Sequence, residues 1–302
     1  MKKLNKLIYR WISKIFMDGC SDYNTLEVRK KSRTKLQARA AFERENMPHA
    51  QGMKFLSPFK AVQFVKEHGF PVVIKPNVSG YSRGSHFPIT NYRELWKAAI
   101  LVKIWWPTSI IEQYLKGKNY RVVAVKGDLM SVIRRYPPFV IGDGKSTISE
   151  LIDQENSIRK AMRLHPVIHP IQKNNRTKKY LKKQGMTLNT IPQKSEQVEL
   201  YNKIALAPGG IVETIDKEHV APENRELFLK ILDAFNASIF GIDVIFEKGI
   251  ETGYKSQKCI FLELNSRPYL KMHNYPRYGQ RQSLEQYYQT LDSIELGDSG
   301  VF

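Results

Sequence analysis

The sequence predicts an α+β fold rather than a run of βαβ units, and three observations carry that prediction. Residues 120–125 and 129–134 have the apolar pattern of strands and are separated only by Lys126-Gly127-Asp128, turn residues that close a hairpin. Residues 241–246 and 260–265 form a second pair of strands joined through a polar, Gly-containing turn. Ahead of both, helical and strand periods alternate from about residue 31 onward. A chain of 302 residues with 42% hydrophobic and 11% aromatic content buries one large core or two lobes, and its composition is unlike that of a disordered protein.

The first element expected is a basic amphipathic helix. Leu4, Leu7, Ile8, Trp11, Ile12, Ile15 and Phe16 recur at helical spacing, with Lys2, Lys3, Lys6, Arg10 and Lys14 on the other face. Such a helix docks on the body of the chain, on a second subunit or on a membrane surface, and the sequence leaves these open. A helix over 38–45, a strand over 52–55, a helix over 57–68 and a β-rich run over 71–75 follow. Beyond the Gly-rich stretch 77–84 come a helix around 92–102 and a strand over 109–113. Pro137-Pro138 interrupts the strands, and Thr147-Ile148-Ser149-Glu150 fits a capping box opening the next helix. Gly144-Lys145-Ser146 imitates the end of a Walker loop, but Phe139 stands where that loop demands Gly. Between 171 and 183 lie Lys173, Arg176, Lys178, Lys179, Lys182 and Lys183 with no acid among them: a solvated helix face or a patch for an anionic partner.

Cys20 and Cys259 lie far apart and in no CxxC spacing, so neither a disulfide framework nor a thiolate metal site is expected, and a reducing, cytoplasmic setting is. No apolar run reaches the roughly 18–20 residues that span a bilayer, and the N-terminus lacks the pattern of a signal peptide. Forty-eight Lys and Arg against 29 Asp and Glu give a net charge of +19, which draws in anionic partners. Nucleic acid is not expected among them, because no RNA- or DNA-binding module is recognisable. A homo-oligomer is expected.

Three stretches carry chemistry. Side-chain alternation puts Glu263 and Asn265 on one strand face, and a hairpin centred on Gly253 brings Asp243 opposite Glu263. Two carboxylates and an amide suit magnesium or manganese, with an ordinary strand face as the plain alternative. Lys75 ends the apolar run Val72-Val73-Ile74, and the loop beyond it, with Ser79, Gly80 and Arg83, can bring backbone amides to phosphate oxygens. Ile110-Ile111-Glu112-Gln113-Tyr114-Leu115 is an apolar strand running into a lobe connection, where backbone groups can meet an adenine edge or where the strand simply ends.

From about residue 31 to the end, these elements in this order resemble the ATP-grasp ligases, and within them the ATP-grasp regions of cyanophycin synthetase and the fused bacterial glutathione synthetases. Residues 71–76, Arg135-Tyr136-Pro137-Pro138, Ile141-Gly142-Asp143-Gly144-Lys145, Glu150-Leu151-Ile152 with Asn156, Gly209-Gly210, Gly241-Ile242-Asp243 and Glu263-Leu264-Asn265 carry the resemblance. It implies an ATP-grasp fold, with an N-terminal helix and linker over 1–30 and two α+β lobes, 31–115 and 116–302, clasping ATP between antiparallel sheets. The activity implied is ATP- and magnesium-dependent ligation, in which a small carboxylate is activated as an acyl phosphate and joined to an amine. The substrate class implied is an amino acid, a short peptide or a secondary metabolite.

Carried over residue by residue, Lys31 and Lys75, with Ser79 and Gly80, contact the ATP phosphates. Glu112, Gln113, Tyr114 and Leu115 hold the adenine; Asp243, Glu263 and Asn265 bind the metal. The catalytic residues implied are Arg121 and Arg135, the latter stabilising the transferring phosphoryl group or the acyl phosphate. The chain departs from the pattern at Asn119, where an acid is usual, and at Leu206-Ala207-Pro208-Gly209-Gly210, which only partly matches Asn-x-Ser-x-Gly-Gly. Only about 30 residues precede Lys31, fewer than the extra N-terminal domain of these enzymes needs, so a partner chain or peptide is expected in its place. A nucleotide-binding regulatory protein without ligase activity is the competing expectation, since fold alone does not establish activity.

Overall fold

The structure is a computed structural model that describes residues 23–32, 34–77, 84–104, 106–283 and 289. The helix expected near the N-terminus, Cys20, Ser79 and Gly80 lie outside the described residues. In chain order the helices are α1 (Leu26–Lys31), α2 (Lys35–Arg44), α3 (Pro58–His68), α4 (Tyr92–Leu101), α5 (Ile148–Ala161), α6 (Asn175–Lys183) and α7 (Pro222–Phe235). The strands are β1 (Gly52–Phe55), β2 (Val72–Pro76), β3 (His86–Ile89), β4 (Ser109–Gln113), β5 (Lys118–Val125) and β6 (Asp128–Tyr136), then β7 (Phe139–Ile141), β8 (Gln197–Glu199), β9 (Ile211–Ile215), β10 (Ile239–Phe246) and β11 (Cys259–Asn265). No helix among the described residues is long and apolar enough to cross a membrane.

The chain forms two compact units: residues 1–132, 216–269 and 285–302 make the first, and 133–215 with 270–284 the second. The lobe boundary expected at residues 115 and 116 therefore falls inside the first unit. That unit holds an antiparallel sheet of order β1-β4-β2-β3. Helices α3 and α4 cover one face of it. Ser57 caps α3, with Pro58 in the first turn, and the Asn91 side chain accepts from the Glu94 N–H to start α4. Their inner faces, Ala61, Phe64 and Val65 with Leu95, Ala98 and Ala99, pack on Val72, Ile74, Ile89 and Ile111. Because strand side chains alternate, Lys75 and Glu112 project from the opposite face. The other strands of this unit run β11-β10-β5-β6, with the Lys126-Gly127-Asp128 turn joining β5 to β6 and Gly127 at φ 92°.

The second unit contains β9 and the end of β6, the pair β7–β8, and α5 and α6. Val140, Ile148, Leu151, Ile152, Ile171, Leu181, Val198 and Leu200 form its core. The expected capping box is present: Thr147 accepts from the Glu150 N–H and the Glu150 carboxylate accepts from the Thr147 N–H. In the basic stretch, α6 buries only Thr177 and Leu181 and leaves Lys178, Lys179, Lys182 and Lys183 exposed, while Lys173 pairs with Asp153 at 2.6 Å. Ahead of α5, the Gly142-Asp143-Gly144 segment is a loop that bends at Gly144, where φ is 78°. Asp143 accepts from the Lys145 and Ser146 amides at 2.8 and 2.7 Å and from the Ser146 hydroxyl at 2.7 Å.

Those bonds, led by the Ser146 amide, hold the Asp143 carboxyl down at about 2. A depressed carboxylate contributes its full stabilisation above the unfolded-state value of roughly 4 and loses it as pH falls through the folded value. Urea midpoints are therefore expected to fall on acidification from about pH 4 toward about pH 2, with that part of the fall missing from Asp143→Ala.

Candidate functional site

The first sheet and α2 build one half of the site. The register sets Val73 opposite Glu112 and Lys75 opposite Ile110, so the lysine and the glutamate share the face turned away from α3 and α4. One Glu112 oxygen accepts from Arg39 of α2, and the other is paired with the Lys75 ammonium. All three groups are buried. Two cations on one carboxylate leave a net positive charge in a site with little water, an arrangement that favours an anion beside it. Of the residues expected at an adenine, Gln113 and Tyr114 donate their amides to the carbonyls of Gln51 and Pro71 at 2.9 and 3.0 Å, so those two amides are satisfied within the fold. The Glu112 carboxylate is held by its two cations.

The other half lies on β5, β10 and β11. Asp243 pairs in register with Arg121 on one side and Glu263 on the other, as a hairpin centred near Gly253 requires, and Gly241 stands opposite Asn265. Arg121 donates from Nε and Nη2 to the two oxygens of Asp243 at 2.6 and 2.7 Å, a fork-to-fork pair, and its Nη2 lies 3.9 Å from Glu263. Burial works against the Arg121 charge. The charge and hydrogen bonds of Asp243, with the charge of Glu263, outweigh it and raise the guanidinium above its ordinary value.

Helix α2 joins the halves. Lys35 and Arg39 are one turn apart on the same stripe as Ala38 and Phe42. Lys35 Nζ is 3.4 Å from Glu263, Arg39 holds Glu112, and the Phe42 ring meets Phe261 of β11 at 5.4 Å. The helix starts where it does because Thr34 and Gln37 form a capping box, which puts Lys35 in the first turn. Lys31, by contrast, is exposed on α1 and paired with Glu27 at 2.6 Å. Arg135 lies half-buried on the part of β6 that belongs to the second unit.

The donor set fits a hard divalent cation. Glu263 and Asn265 are oxygen donors two residues apart on one strand face, and Glu263 is about one-third exposed. The Asn265 amide donates its N–H to the Gly241 carbonyl at 3.3 Å, which leaves its oxygen as the group to offer a cation. Asp243 stands beside them with both oxygens engaged by Arg121. Among the described residues no group of three His, Cys, Asp or Glu is arranged to enclose a metal. One or two protein oxygens completed by phosphate and water is the usual arrangement for magnesium, and this set supplies that much.

No protein-family model matches the chain. Over 236 residues it is 30% identical to the cyanophycin synthetase of Trichormus variabilis, an alignment that covers 77% of this chain and 26% of that protein. Over 215 residues it is 31% identical to the glutathione biosynthesis bifunctional protein of Clostridium perfringens, covering 69% and 27%. The chain thus spans about a quarter of the length of the curated relatives it matches. Among solved structures, the bifunctional glutathione synthetase from Pasteurella multocida aligns with a TM-score of 0.63 at 22% identity, over 89% of this chain and 38% of that one. The ATP-grasp ligase PsnB, solved with a variant of its minimal precursor, Mg and ADP, aligns with a TM-score of 0.52 at 13% identity, over 96% and 70%.

Proposed function

We propose, for a chain that has the ATP-grasp fold and is homologous to cyanophycin synthetases and bifunctional glutathione synthetases, that it is an ATP-dependent carboxylate–amine ligase working through an acyl phosphate. The observation that carries this reading is the pair of cations on α2, which reach Glu112 and Glu263 on two separate strand systems, Glu112 also holding Lys75 and Glu263 standing in register with Asp243. Phosphoryl transfer asks chiefly for positioning and for positive charge around the moving group, and the buried cations Arg39 and Lys75 supply both.

In this mechanism Lys75 and Lys35 hold phosphate oxygens of ATP, and Glu263 and Asn265 would hold magnesium or manganese, with Asp243 joining them only once Arg121 releases it. When bound, the metal neutralises triphosphate charge. A carboxylate oxygen of the substrate attacks the γ-phosphorus and ADP leaves; Arg121 stabilises the negative charge of the transferring group. The amine nitrogen of the second substrate then attacks the acyl carbon to form the amide bond, the carbon–oxygen bond to the phosphoryl group breaks with its electron pair leaving on inorganic phosphate, and the proton of the nitrogen passes to that phosphate or to water. Proximity is the main demand of that second step. An amino acid or short peptide is the proposed substrate class, in keeping with the precursor seen on PsnB.

The test is release of ADP and phosphate from ATP and magnesium against pools of small carboxylic acids and amino acids. Release that requires both a carboxylate and an amine is the expected result; ATP binding with no turnover in any pool favours a non-catalytic nucleotide-binding role. One observation favours that second role, namely the bidentate hold of Arg121 on Asp243, which must open before Asp243 can meet a metal. Nucleotide titration distinguishes the two lysines. Lys35→Ala is expected to weaken ATP binding about tenfold, the scale of one lost charge-assisted contact. Lys31→Ala, whose exposed partner is Glu27, is expected to change it by less than about twofold.

A further inference from the structure

Helix α4 is apolar on two faces. Leu95, Ala98 and Ala99 face the core, while Tyr92, Trp96 and Ile100 recur every fourth residue on the outer side, and Ile104 continues the spacing through the turn that follows. The outer stripe is open to solvent: Ile100 is 58% and Ile104 79% exposed. On the neighbouring helix, Phe59 is 72% exposed and sets its ring edge-on to Trp96 at 5.3 Å, and Leu56, just before the α3 cap, is 68% exposed. Scattered exposed apolar residues need no explanation, but an apolar stripe at helical spacing, with Trp96 in ring contact with an exposed aromatic of the neighbouring helix, marks a contact surface.

The charges around the patch decide what it contacts. Arg93 and Lys97 form a row one residue along α4 from Tyr92 and Trp96, and Lys60 follows Phe59; all three are exposed. The acids of these helices are engaged. Glu94 accepts from the Thr90 N–H and hydroxyl at 3.0 and 3.2 Å, and Glu67 accepts from Gln63 at 3.0 Å and faces His68. A basic border suits neither a second copy of a chain carrying +19 nor the basic segment at its N-terminus, because each would bring like charges together. It suits an anionic bilayer, where tryptophan and tyrosine sit at headgroup level, aliphatic side chains enter the acyl boundary and cations meet lipid phosphates. The candidate ATP site projects from the opposite face of the same sheet, so this contact leaves it uncovered.

We propose that the outer face of α3 and α4, with Leu56, Phe59, Trp96, Ile100 and Ile104 as its apolar contacts and Lys60, Arg93 and Lys97 as its border, binds the surface of anionic membranes.

The experiment is flotation of the full chain with phosphatidylcholine vesicles, with and without phosphatidylglycerol. The wild-type chain is expected to float with the anionic vesicles, less so as salt is raised, and to remain behind with the neutral ones. The triple variant Trp96→Ser, Ile100→Ser, Ile104→Ser should bind at least about tenfold more weakly, since three apolar contacts are lost. Lys60→Glu with Lys97→Glu should weaken binding to the anionic vesicles as well and, lying wholly on the surface, keeps the result independent of any folding defect in the triple variant. Wild-type protein that does not float, or a pair of charge and apolar variants that float like wild type, overturns the proposal; in the latter case the N-terminal segment is the membrane contact. A sedimenting dimer that the triple variant converts to monomer overturns it in favour of a second copy.

Discussion

Glu112→Ala is expected to destabilise the first unit by roughly 3–5 kcal/mol, the cost of leaving buried charges without their partner. The carboxylate holds Arg39 and Lys75, all three are buried, and nothing else among the described residues is seen to compensate that pair. Since whole domains are stable by only about 5–15 kcal/mol, a loss of this size is readily measured as a shift of the urea midpoint. Two further results are expected. Glu112→Ala with Arg39→Met should be less damaging than the sum of the single changes, because one of the stranded charges is gone. Pyrophosphate or ATP should restore part of the lost stability, because an anion that binds only the folded chain replaces the missing negative charge.

Glu263→Ala should do the reverse, sparing the fold and removing the activity. Its carboxylate is partly exposed and its ion pairs, 3.4 Å to Lys35 and 3.9 Å to Arg121, are loose, so stability should change by less than about 1 kcal/mol. If Glu263 holds the metal that offsets triphosphate charge, turnover should fall by about a thousandfold or more. Asp243→Asn makes the contrast: it is buried and in a bidentate pair, so its loss should show first as destabilisation. Parallel urea melts and ADP-release assays on the two variants separate a metal ligand from a structural ion pair.

The pairing of Asp243 with Glu263 was legible because hairpin pairing is a local rule and a hairpin centred on Gly253 sets the two opposite each other; the register shift between Asp243 and Val244, which breaks that symmetry nearer the turn, was not. The capping box at Thr147 and the turn at Gly127 were legible for the same reason. Helix α2 begins three residues earlier than the helix expected over 38–45. A start at residue 38 leaves out Lys35, whereas Thr34 and Gln37 already spell a capping box, and a lysine and an arginine on the same stripe as Ala38 and Phe42 were the sign that cations faced inward. What Arg39 meets could not be seen in the sequence, since Glu112 comes from a strand far along the chain and ion pairs between distant elements leave no local period. Strands β7 and β8 have three residues each, too few for an alternation to show. Helix α7 carries ordinary sequence signals: Pro222 in its first turn, then Leu227, Phe228, Ile231, Leu232 and Phe235 at helical spacing.

The most direct measurement follows oxygen. With heavy oxygen in the carboxylate of whichever acid drives turnover, formation of an acyl phosphate predicts that one labelled oxygen per turnover appears in inorganic phosphate, alongside ADP. Label appearing in AMP with release of pyrophosphate, or ADP formed with no label in the phosphate, would contradict the proposed reaction.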